Sequence, residues 1–340
     1  HRDLHSFPTR RSSDLTAVPT LIFISFVIFL LLELAPGDPL ADQPLTIPAE
    51  VRERMRTAMG LDEAAHVRYW KWLVQFVWVE PQVILDRWLG TSMAEGELRI
   101  LSWQFRAPVF DIIWQRIPQT LTVVGIAYVV GVMIALPIGI VSAYRQYSWF
   151  DQIGTFVSMV GFSVPTFFTG VLLIVIFSVN LGWFPSIYDT TLRVTDWPSF
   201  VRQVSQMVMP VAVLALYNAA QISRFMRSSM LDNLNQDYVR TARAKGMGET
   251  TVVLVHVLRN SLIPVVTVIA LGVPTIFAGA IITEQVFKVN GLGQLLITAI
   301  QANDLPMVQT LTFVFAVLIV TFNLIADILY GILDPRIRYD

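Results

Sequence analysis

Six long apolar runs limit what this chain can fold into more than any other feature. They lie near Thr16–Ala35, Thr120–Tyr144, Ile153–Val179, Met207–Ser223, Leu262–Thr283 and Val308–Leu333. About 20 apolar residues in a helix cross the hydrocarbon core, and a helix satisfies its own backbone N–H and C=O groups there. The fourth run is the weakest, because Asn218 and Gln221 interrupt it and must face the bundle or a cavity. Composition agrees: 54% of the 340 residues are hydrophobic and 14% are charged, against about 25% charged in soluble proteins. The expected fold is an all-α polytopic membrane protein of six transmembrane helices, with an extracytoplasmic domain between the first and second. A net charge of −1 gives no reason to expect nucleic acid as a partner. The absence of Cys excludes disulfides and thiolate metal sites.

Lys and Arg in short loops set the orientation. Arg224, Arg227, Arg240, Arg243, Lys245 and Arg259 follow span four, Arg145 follows span two, and Arg336 and Arg338 follow span six. In a six-span chain these lie on one side, which places both termini and the 224–262 loop in the cytoplasm. The long 37–119 segment then lies outside, where Trp70, Trp72, Trp78, Trp88 and Trp103 supply a small core or an interfacial belt. The expected division is an artefact or non-native leader at 1–15, span one at 16–36, the outer segment at 37–119, a transmembrane core at 120–333 and a tail at 334–340. HRDLHSFPTRRSSDL at the start is charge-dense and reads as the translation of a sequencing adaptor, to be set aside; the alternative is a short basic leader. Pro137, Pro165, Pro210, Pro264 and Pro274 are expected to kink spans. Gly125, Gly131, Gly139, Gly161, Gly170, Gly272 and Gly279 are expected to let helices pack closely.

Several chemistries have no residues to carry them. No GxxxxGK[ST] phosphate loop occurs, no HExxH occurs, and no nucleophile–base pair is spaced for catalysis. No enzyme activity, cofactor or metal is expected. Glu33, Glu284 and Asp327 lie at span ends, where interfacial or structural roles compete with a proton relay.

The segment RSSMLDNLNQDYVRTARAKGMGETTVVLVHVLRNSLIPVVT is polar and basic between two apolar runs. Tyr238–Lys245 favours helix, and Gly246 suits the position just past its end. Thr250 or Thr251 is expected to cap the next helix, with Pro264 marking entry into span five. Ala242 and Ala244 leave room for a partner, and Arg240, Arg243 and Lys245 offer it positive charge. Composition alone leaves a second reading open, a basic loop that only fixes topology.

DYVRTARAKG at 237–246 followed by HVLRNSLIPVVT at 256–267 resembles the loop of permeases of ABC importers, in their dipeptide, oligopeptide and nickel branch. The first permease of dipeptide systems is the most similar type. LAPGDP at Leu34–Pro39, GLD at Gly60–Asp62, LGTSM at Leu89–Met93, VFKVNGLGQLLITAIQANDLPMVQ at Val286–Gln309 and DPRIR at Asp334–Arg338 extend the resemblance from Thr16 onward. Arg240, Thr241 and Ala242 stand where the wider family has Glu-Ala-Ala, a departure shared by the peptide branch. The resemblance implies a coupling helix at Asp237, Tyr238, Arg240, Thr241, Ala242, Arg243, Ala244, Lys245 and Gly246 that docks on an ATPase. It also implies a second homologous permease, two ATP-binding cassette subunits that bind the ATP, an extracytoplasmic solute-binding protein and a lipid bilayer as partners. Import of di- or oligopeptides, a nickel chelate or glutathione by alternating access is the implied function, with no substrate-binding residue named. A proton-coupled carrier and a scaffold protein are the alternatives from other classes.

Overall fold

The computed structural model describes residues 10–34, 50, 53, 56, 57, 59–278 and 280–333, with the side chains of 10–16, 277, 278, 327 and 329–333 outside that set. The tail with Arg336 and Arg338, most of LAPGDP, and Gly279 lie outside the described residues. The helices are α1 (Arg10–Leu34), α2 (the unbroken run Ala65–Val74, Gln75–Val79 and Glu80–Leu89), α3 (Val109–Tyr144), α4 (Trp149–Ser163) and α5 (Thr166–Asn180). They continue as α6 (Trp197–Leu234), α7 (Asp237–Ala244), α8 (Glu249–Ile276), α9 (Ile281–Phe287), α10 (Leu292–Gln301) and α11 (Leu305–Leu333). No strand occurs among the described residues. The chain divides into two compact units, His1–Ile117 with Leu295–Leu318, and Pro118–Gln294 with Ile319–Asp340.

In the first unit, α2 packs its inner face on three long helices. Tyr69 meets Phe26 and Phe29 of α1, and its hydroxyl lies 2.9 Å from Ser25 Oγ. Trp72 donates its indole N–H to Thr310 Oγ1 of α11 at 3.0 Å. Phe76 sits 5.4 Å from Phe110 of α3 and 4.8 Å from Phe313 of α11, centroid to centroid. The connection to α3 is fixed by charge. Arg99 donates to Glu80, which is 1% exposed, and to Asp111, and these carboxylates outweigh the burial that opposes its charge. Fully buried Asp304 accepts the hydroxyl of Ser102 and the backbone N–H groups of Trp103 and Gln104. The outer segment is therefore folded, and Trp72 is its core tryptophan while Trp70, Trp78 and Trp88 are exposed.

These contacts gather the Leu34 end of α1 and the starting ends of α3 and α11 on one side. Helices α1, α3, α6, α8 and α11 are each long enough to span, and α9 and α10 are too short. Five helices among the described residues are long and apolar enough to cross a membrane, and the bent pair α4 and α5 makes a sixth when taken as one span.

The pair α4 and α5 replaces the expected single span over Ile153–Val179, kinked at Pro165, with two helices. The chain bends by 103° between Ser163 and Thr166. Val164 is extended (φ −81°, ψ 126°), as the residue before a proline prefers, and Pro165 has no N–H to continue the helix.

Close packing dominates the second unit. Gly131, Ala135, Gly139 and Ala143 form a small-residue stripe on α3, turned toward α6. A Cβ at Gly139 would lie 2.5 Å from Met226 Cβ and 2.7 Å from Ser223 O. Asn218 of α6 meets the same stripe at Gly131, so this polar residue faces the bundle as a span-four helix requires. Pro137, Pro210, Pro264 and Pro274 all lie inside helices that continue past them.

Candidate functional site

Helix α7 is eight residues long, and two of them hold it in place. Val239 is fully buried and Ala242 is 5% exposed, packed with Met230, Val252, Val253 and Val257 in one apolar cluster. The opposite face is open: Asp237, Tyr238, Arg240, Thr241, Arg243, Ala244, Lys245 and Gly246 are all exposed. Spacing explains this division, since positions three apart share a face of a helix.

Its end is closed as the sequence predicts. Gly246 takes φ +75°, its N–H donates to Arg243 O at 2.9 Å, and the Met247 N–H donates to Ala242 O at 3.3 Å. These two bonds form a Schellman motif, which satisfies the last carbonyls of the helix. Arg243 then folds over the turn and donates to both Glu249 oxygens, at 3.1 and 2.7 Å. The Glu249 carboxylate raises the Arg243 pKa above its ordinary value and keeps the guanidinium charged. Arg240 pairs with Asp237 at 3.3 Å. Among the described residues no carboxylate pairs with Lys245.

Two ties fix the helices on either side. The Ser229 hydroxyl donates to Ser261 O at 2.8 Å, and the Ser261 hydroxyl donates back to Ser229 O at 3.2 Å, joining α6 to α8. Arg227 of α6 donates through Nε and Nη2 to the carboxylate of Asp151 on α4, at 2.7 and 2.8 Å. Asp151 also accepts the Tyr147 N–H at 2.9 Å. A basic loop residue adjoining an apolar run carried no sequence signal for this pairing. An Asp just after a helix-capping Ser148 was the nearest clue.

The structure corrects several expectations here. Arg224 and Arg227 belong to α6, not to a loop, and Arg224 lies 4.6 Å above the Phe162 ring. The link between α6 and α8 spans residues 235–248 and contains α7, and Arg259 lies on α8. Gly248, not Thr250 or Thr251, precedes the first turn of α8. Pro264 lies inside that helix and not at its entry. Ala242 faces the core, so Ala244 alone of the two leaves open space outside. Arg243 is already paired within the chain.

The three acidic candidates separate. Glu33 pairs with Arg68. Glu284, 1% exposed, accepts the Thr120 hydroxyl and the Gln294 N–H, both at 3.0 Å. Thr120 in turn accepts the Leu292 N–H at 2.8 Å. Glu284 thus anchors the positive N-terminal end of α10 to α3, a structural role. Asp327 lies on α11, with its side chain outside the described residues. No group of three or more His, Asp or Glu is placed to hold a metal among the described residues.

Comparisons with known proteins add to this geometry. Residues 135–339 match the family described as the binding-protein-dependent transport system inner membrane component, and residues 4–124 match its N-terminal companion family. The chain is 39% identical to the oligopeptide transport system permease protein AppB of Bacillus subtilis over 327 residues, 96% of this chain and 97% of that one. It is 36% identical to the glutathione transport system permease protein GsiC of Salmonella paratyphi A over 324 residues, 95% and 96% of the two chains. With five to six apolar helices long enough to span and matches along nearly its whole length, the chain belongs to the family of binding-protein-dependent transport system inner membrane components, and is a multi-pass transport subunit rather than an enzyme.

Proposed function

We propose that the chain forms one half of the translocation path of an ATP-driven importer of the peptide class, and that α7 is the element an ATPase subunit grips. The observation that carries this reading is the division of α7 into a buried inner face at Val239 and Ala242 and a polar, cation-bearing outer face. A helix that merely linked two spans would need no such anchoring. Force applied to the outer face passes through the apolar cluster to α3, α6 and α8, which contribute Ala135, Met226 and Val265 to it.

The complete assembly in this reading has a second homologous permease, two ATP-binding cassette subunits and an extracytoplasmic solute-binding protein. The 235–248 link and both termini face the cytoplasm. ATP closes the ATPase dimer, the dimer moves α7, and the two permeases open outward to receive solute. Shifting a two-state bundle from about 1:99 to 99:1 takes roughly 5.5 kcal/mol of differential binding. Peptide or glutathione as solute follows the names of the relatives. No observation favours the proton-coupled carrier, since Glu33 and Glu284 are occupied by Arg68 and by α10.

The decisive experiment reconstitutes the purified assembly in proteoliposomes and follows labelled dipeptide and glutathione. Uptake that needs ATP and the binding protein, and persists when the proton gradient is collapsed, is expected. Uptake driven by the gradient without ATP would reject the importer reading.

A further inference from the structure

Among the described residues the outer face of α2 has no partner. Trp70, Val74, Val77, Trp78, Leu85 and Trp88 are between 47% and 83% exposed. Their spacing of three to four residues, with a longer step across Pro81, puts them on one stripe of the helix. An apolar stripe of this extent is not left in water by a soluble surface.

The inner face of the same helix says how deep it lies. Tyr69 touches Ser25, inside the apolar window Ala17–Leu34 of α1. At 1.5 Å per residue, Ser25 is about 13 Å in from the Leu34 end. Phe76 touches Phe313, inside the window Leu305–Ala326 and about 12 Å in from its start. The middle of α2 therefore lies below the ends of two membrane-spanning helices, within a hydrocarbon half-thickness of about 15 Å. The long cations at the edge of the stripe, Lys71 and Arg87, reach away to Glu63 and Asp111, as charged heads do when their stems lie against an apolar phase.

We infer that α2 is embedded in the bilayer as a lateral helix, with its Trp70–Trp88 stripe solvated by lipid acyl chains rather than by water or by protein. The segment between the first two spans is then in part a membrane element. The inference needs the chain to span the bilayer, and does not depend on ATP coupling or on peptide as solute, so failed uptake leaves it standing.

The native chain has no Cys, so single nitroxide labels can be placed without background. V74C, V77C and L85C, with S92C as a reference in the exposed turn after α2, would be labelled in the purified assembly. The assembly would include its partner subunits, in nanodiscs of phosphatidylcholine and phosphatidylglycerol. Collision with oxygen at the three stripe positions should exceed that at 92 several-fold, while collision with a water-soluble nickel chelate should fall several-fold. Nickel access equal to that at 92 would overturn the proposal and mark the stripe as an aqueous docking surface. Low access to both reagents would overturn it in favour of a protein partner covering the face. These positions are exposed, and the intact assembly is selected by size exclusion before measurement, so folding defects do not confuse the result.

Discussion

Single residues set the tolerances of this molecule. Gly139 leaves no room for a Cβ, because backbone oxygen and Met226 lie within 2.7 Å of where it would stand. Gly139→Val should destabilise the protein by about 1–3 kcal/mol through forced separation of α3 and α6. A lower detergent melting temperature would show it, and an unchanged one would mean that the two helices slide freely. Gly246 is limited by backbone and not by space: nothing lies within 4 Å of a Cβ there, but φ is +75°. Gly246→Ala should cost only about 1 kcal/mol and leave the assembly intact. Gly246→Pro forbids that φ and removes the N–H bonded to Arg243 O. It should leave ATP hydrolysis running while uptake falls to background. Normal uptake by this variant would place the coupling turn elsewhere. The αL glycine was legible in the sequence, because only glycine takes that conformation without strain. The inward turn of Ala242 was not, because a small residue suits a core and a contact surface equally.

At the scale of elements, the tie between α4 and α6 is the test. Arg227 donates two bonds to Asp151, whose side chain is 4% exposed while that of Arg227 is 28% exposed. Removing one partner of a fully buried pair costs about 3–5 kcal/mol. Half-wet as this pair is, Asp151→Asn should cost on the order of 2 kcal/mol, at the low end of that mechanism. The double variant Asp151→Asn with Arg227→Gln should recover part of the loss in thermal melting. Additive losses would mean that the two residues act independently. Neither this tie nor the Glu284 anchor was visible along the chain, because each joins residues more than 70 positions apart. The Pro165 break was half-visible. The proline predicts a kink, but the size of the bend depends on what the flanking halves pack against.

The whole molecule is a question of sides. In the proposed six-span topology Ser92 and Lys245 lie on opposite faces of the membrane. In intact cells an impermeant maleimide should label S92C at once and K245C only after permeabilisation, with no native Cys to interfere. Equal labelling of both would break the crossing count. The number of long apolar runs, the basic character of the 235–248 link and the helix-ending glycine were all set by local chemistry: hydropathy, charge and one backbone dihedral. These are properties of neighbours in sequence. Tertiary structure decided which face of α7 is held, which partners Arg227 and Glu284 find, and whether each tryptophan of α2 is core or surface. Such outcomes depend on partners distant in sequence, which a single sequence does not pair, and on depth in the membrane, which only packing against the spans defines.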